Sequence, residues 1–103
     1  MRSPYLDKAG KPIDLWEWAK LLEDRSYQVI KQETLPDGKW VSTVWLGLNH
    51  SYGEGPPLIF ETMVFPTKGR LDEERCRRYS TLDDALAGHA EIVRELTQEG
   101  VAR

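Results

Sequence analysis

The sequence predicts an α+β fold, a three-stranded antiparallel meander with two amphipathic helices on one face, in the order α-β-β-β-α. Three observations carry that prediction. Segments starting at Asp14 and Ser80 repeat apolar residues at helical spacing behind capping side chains. Three segments between Ser26 and Phe65 are rich in β-branched and aromatic residues. The connections between those segments hold turn residues and are short enough for sequential strands to pair as neighbours.

Residues 1–13 read as an N-terminal arm. Pro4, Gly10 and Pro12 lie among charges, Asp7-Lys8-Ala9-Gly10 has turn chemistry, and Tyr5-Leu6 suits a short edge strand. Asp14 with Glu17 makes a capping pair, and Leu15, Trp18, Ala19 and Leu22 form one stripe of a first helix that ends near Asp24. Ser26 to Thr34 and Trp40 to Leu48 flank Leu35-Pro36-Asp37-Gly38 and read as a hairpin. Asn49 to Pro57, with two glycines and two prolines, is a loop. Leu58 to Phe65 follows as a strand that is apolar on both faces apart from Glu61 and Thr62, which places it centrally or beneath a helix. Residues 66–80 read as a long basic loop, with five Lys or Arg against three acids. The second helix is capped by Ser80 or Thr81, carries Asp83 and Asp84 in its first turn, and lines up Leu82, Ala85, Leu86, His89, Val93 and Leu96 before Gly100.

With 103 residues, 40% hydrophobic and 30% charged, the chain supports one domain around one core. The net charge of -3 provides no global positive field, which disfavours nucleic acid as a partner. Cys76 is the single cysteine and has no internal disulfide partner. The first twenty residues are interrupted by charges throughout, so neither a signal peptide nor a membrane span is expected, and a reducing cytoplasm fits best.

Candidate chemistry is sparse. His89 lies on the apolar stripe of the second helix beside Gly88, and without a partner motif it reads first as a buried histidine bonded to a neighbouring carbonyl or carboxylate. His50, His89 and Glu61 lack the spacing of a zinc site, so no metal and no cofactor are expected. Glu61 interrupts an apolar strand and reads as an ion-pair partner before it reads as a general base. The basic segment reads first as a solvated loop beside a solvated helix face with modest surface pairing, and second as a loop that binds an anionic, nucleotide-like ligand. Arg77, Arg78 and Tyr79, with Tyr52 and His89, supply guanidinium groups and aromatic faces. Trp40 and Trp45, five apart on one strand, point to opposite faces, and Trp16 lies about 200° around its helix from Trp18. Trp16 and Trp40 are therefore the expected interface residues of a homo-oligomer or of a complex with a partner.

The runs Val41-Ser42-Thr43-Val44-Trp45-Leu46-Gly47-Leu48-Asn49-His50, Gly55 to Phe65, Arg78-Tyr79-Ser80-Thr81 and Ala87-Gly88-His89 resemble small uncharacterised proteins of tailed phages and prophages. The resemblance extends over most of Gly10 to Glu95 and transfers no catalytic residue. It implies an accessory gene whose product acts in the host cytoplasm, a non-enzymatic binder that blunts host defence by occupying a host protein or sequestering a nucleotide signal. Two alternatives stand beside it: a virion or assembly interaction protein, and a small enzyme using His89 or Glu61 as acid or base.

Overall fold

Four strands, β1 (Val29–Thr34), β2 (Trp40–Trp45), β3 (Phe60–Phe65) and β4 (Arg75–Tyr79), pair antiparallel in the sheet order β1-β2-β3-β4. Around them are α1 (Leu15–Glu23), the single turn α2 (Arg25–Gln28) and α3 (Leu82–Val101). The computed structural model describes residues 3–50, 55–70 and 72–101. The α+β class, the meander and the two long helices are as the sequence predicts. Two details differ.

The first difference is β4. The stretch taken for a basic loop turns back after Pro66 and pairs along β3, with Glu61 opposite Arg78, Thr62 opposite Arg77 and Met63 opposite Cys76. An edge strand needs a neighbour on one side only, and charged side chains are well suited to that position because they discourage further pairing. Its sequence RCRRY therefore carries almost no hydrophobic signal. The second difference is α2, where a strand was expected from Ser26. The Asp24 carboxylate accepts a hydrogen bond from the Ser26 backbone N–H at 3.0 Å and from its hydroxyl at 2.6 Å, starting a helical turn before β1 begins. That turn directs Tyr27 edge-on against Trp45, with ring centroids 5.0 Å apart.

Strand parity then assigns the two faces. Val41, Thr43 and Trp45 of β2 and Phe60, Thr62 and Val64 of β3 are all buried on the helix side. Trp45, Phe60, Tyr79 and Ala85 form one core cluster, which Trp18, Leu21 and Leu22 of α1 join; Val41, Val64 and Ile92 form a second with Leu35. Both long helices thus cover the same face. Within α3 the buried line runs through Ala85, Gly88, His89 and Ile92, while Leu86, a further 100° around the axis from Ala85, is 42% exposed. Asp14 caps α1 as expected, accepting from the Glu17 N–H at 2.8 Å. Gly47, at φ +71°, ties the arm to this core. A Cβ there would overlap the rings of Trp45 and Trp18, whose indole N–H groups donate to the Leu6 and Leu46 carbonyls at 3.0 Å.

Candidate functional site

Helix α3 lies across the sheet, and its docking creates two features: a buried chain of polar groups and an open depression beside β4. The chain takes one residue from each of five elements. The Tyr79 hydroxyl of β4 donates to Thr62 Oγ1 of β3 at 3.1 Å, Thr62 meets Thr43 Oγ1 of β2 at 2.5 Å, Thr43 meets His89 Nδ1 of α3 at 2.7 Å, and His89 Nε2 meets Glu33 Oε1 of β1 at 2.7 Å. One assignment of hydrogens satisfies all of them. A carboxylate only accepts, so Nε2 carries the imidazole hydrogen; Nδ1 then accepts from Thr43, Thr43 from Thr62 and Thr62 from Tyr79. No buried side-chain polar atom among the described residues lacks a partner.

Glu33, His89 and Thr43 stand in the carboxylate, imidazole, hydroxyl order of an activated nucleophile. Access decides what that order can do. Thr43, Thr62 and His89 have no exposed surface, and none of them lines the depression, so the hydroxyl has no substrate to meet. The chain works as a polar pin that fixes α3 on the sheet. Burial pushes the Tyr79 hydroxyl above its ordinary pKa, with the Thr62 hydrogen bond acting against that shift.

The depression, about 420 Å³ in volume, opens between β4 and the first turns of α3. Arg77, Arg78, Tyr79 and Ser80 form one wall; Asp84, Ala87, Gly88 and Glu91 form the other, with Leu58 at the end. Arg77 lies 5.4 Å over the Tyr79 ring and 3.5 Å from Glu91. Gly88 allows the helix to settle on Tyr79, since a Cβ there would overlap the phenol ring. The space over Gly88 is thus filled by a side chain of the same domain.

Of the residues expected to bind together, Arg77, Arg78 and Tyr79 do line one depression. His89 reaches it only through Thr43, Thr62 and Tyr79, and Tyr52 lies outside the described residues. Adjacent strand residues point to opposite faces, so the Arg78 guanidinium turns to the far side of the sheet and bonds Glu61 Oε2 at 3.0 Å. Glu61, 7% exposed, is an ion-pair partner there. Among the described residues no three His, Cys, Asp or Glu side chains converge as metal ligands, and no helix is long and apolar enough to cross a membrane.

Comparison with protein-family models, curated proteins and solved structures finds no match. Function therefore rests on the site itself. The expected interface residues lie on separate surfaces: Trp16 stands 80% exposed on α1, beside Glu17 and Lys20, whereas Trp40 lies on the helix-free face of the sheet, 5.5 Å from Phe65. Glu33, Thr43 and Thr62 are not among the site residues expected from the sequence. A signal existed for the threonines, because Thr43 between Val41 and Trp45 and Thr62 between Phe60 and Val64 are polar breaks at the same apolar parity, matching a histidine on an apolar helix stripe.

Proposed function

We propose that the protein is a non-enzymatic binder that holds a nucleotide-sized anionic ligand in the depression between β4 and α3. The observation that supports this most is the meeting of the Arg77 guanidinium and the Tyr79 ring at an open space of about 420 Å³, within the range of small-molecule sites. The Arg77–Glu91 pair does not close the site. Its partners are 43% and 47% exposed at 3.5 Å, and such a pair is worth at most about 1 kcal/mol. A phosphate group offers shorter, charge-assisted bonds and competes with it. Asp84 and Glu91 add acceptors, which favours a ligand with hydrogen donors beside its anionic group, as a nucleotide has.

In the phage or prophage setting that the resemblance implies, sequestering a nucleotide signal in the host cytoplasm would blunt a defence response. Occupying a host protein, or taking part in virion assembly, is the second reading, and the 80% exposure of Trp16 favours it. An enzyme using His89 or Glu61 has less support, since both are buried and bonded to neighbours.

Thermal unfolding with linear and cyclic nucleotides tests the proposal. A ligand at a hundred times its Kd adds about 2.7 kcal/mol to stability. In a domain of this size that raises Tm by roughly 10 °C or more. Arg77→Ala should abolish the shift while leaving the unliganded Tm within a few degrees. Absence of any shift at millimolar nucleotide, or a shift indifferent to Arg77→Ala and Arg78→Ala, overturns the assignment. Presence in purified particles would favour the assembly reading.

A further inference from the structure

The sheet's second face carries no helix among the described residues, and its composition is unusual for a surface left to water. This face carries Trp40 and Phe65 at one end, Met63 beside Ser42 at its middle and Val44 at the other end, the four apolar side chains each partly buried. The chain is 30% charged, yet among the described residues the charges on this face are mostly closed in two ion pairs, Glu61–Arg78 at 3.0 Å and, at the rim, Lys39–Glu74 at 2.7 Å, with the Glu73 carboxylate near Cys76 at the edge. Depletion of free charge with enrichment in Trp, Phe, Met and Arg is the signature of an interface core. We propose that this face is the interface of a symmetric dimer, with a second copy of the chain packing the same face against it.

Charge selects that occupant. A face whose ion pairs are internally neutralised offers nothing to a strongly acidic or basic partner, while two such faces meet without like-charge repulsion. Shape agrees. Trp40 and Phe65 make one end of the face aromatic and the other end carries Val44 with the Glu61–Arg78 pair, so a two-fold axis across the strands sets the aromatic end of one copy against the Arg78 end of the other. Area is adequate for a modest dimer. Four strands of five or six residues present roughly 19 by 20 Å in projection. As a corrugated accessible surface, that lies toward the lower end of stable interfaces, which bury about 800 Å² per partner. The two sheets would pack about 10 Å apart as a sandwich.

The proposal does not depend on the ligand reading, because the depression lies on the opposite side of β4. Light scattering behind a sizing column, over a range of loading concentrations, should give a mass approaching twice the 11.9 kDa of the chain. Met63→Glu, which places an unpaired charge at the centre of the face, should return the mass to that of one chain. Cys76, exposed on the same face opposite Met63, supplies a readout without substitution: its alkylation should slow as protein concentration rises. This second measurement decides the matter if Met63→Glu fails to fold. A single-chain mass at every concentration with concentration-independent labelling overturns the proposal. So does a dimer that survives Met63→Glu and is lost in Trp16→Ala, which would move the interface to α1.

Discussion

At the residue scale the polar pin makes the sharpest demands. Replacing Thr43 with Val preserves shape but removes the donor to His89 Nδ1 and the acceptor of the Thr62 hydroxyl, both fully buried. Leaving such groups unpaired costs about 1 to 3 kcal/mol each. Thr43→Val should therefore lower stability by more than a typical surface change, read as a shift in the urea midpoint at unchanged m-value. The hydrogen count also predicts the Nε2–H tautomer for His89, which 15N NMR of the imidazole would show directly. Gly88→Ala pits two effects against each other. Helix propensity gains up to about 1 kcal/mol, whereas overlap with Tyr79 has an overpacking cost of about 1 to 3 kcal/mol. Net destabilisation is expected, and it should shrink when Tyr79 is shortened to Leu. At Cys76, burial first and the Glu61 carboxylate second push the thiol up to about 11 from 9.0. A raised folded-state value adds stability that is present below pH 9 and is lost as pH rises through 11, so base-induced unfolding should be milder in Cys76→Ser.

At the element scale, the legible parts of the sequence were those whose burial pattern is carried by their own residues. α3 announces itself through Thr81, whose hydroxyl accepts from the Asp84 N–H at 3.0 Å, and through its apolar stripe. β3 announces itself by being apolar on both faces, as a strand between two neighbours should be. β4 was not legible because its reason for being a strand lies in β3 and α3: Arg75 and Arg77 are held by Glu95 and Glu91 of α3 and Arg78 by Glu61 of β3, partners 20, 14 and 17 residues away along the chain. The Arg75–Glu95 pair is 38% exposed on each side, so Arg75→Ala should cost at most about 1 kcal/mol. Ile92→Ala, at a position with no exposure on α3, should cost about 2 to 5 kcal/mol. Comparing the two midpoints shows whether apolar burial under α3 or the charge ladder beside β4 holds the layers together. The candidate site was half legible for the same reason. Residue types pointed to Arg77, Arg78 and Tyr79, but strand parity, which parts the two guanidinium groups, could not be read before β4 was known to be a strand.

At the scale of the whole molecule, the sheet separates two surfaces with different chemistry. One side carries the helices and, at their border with β4, the polar depression; the other carries the apolar band around Met63. Sites without shared partners combine additively, whereas sites joined by a network do not. Among the described residues Arg78 belongs to both surfaces: it is part of the depression's wall, and its guanidinium closes the ion pair with Glu61 on the far face. Ligand-induced thermal shifts should therefore be the same in Met63→Glu as in the unmodified protein, since the substitution touches neither Arg77 nor Tyr79. Arg78→Ala should behave differently: it trims the wall of the depression without removing a guanidinium aimed into it, and it leaves Glu61, 7% exposed, without its cation, so it weakens the dimer more than the shift. Measuring shift and mass together for Met63→Glu, Arg77→Ala and Arg78→Ala separates the cases. If Met63→Glu alters mass alone, Arg77→Ala the shift alone and Arg78→Ala both, β4 is the strand through which the two surfaces meet. A loss of ligand response in Met63→Glu would instead mean that the depression is completed by the second copy, and that binding and assembly are one event.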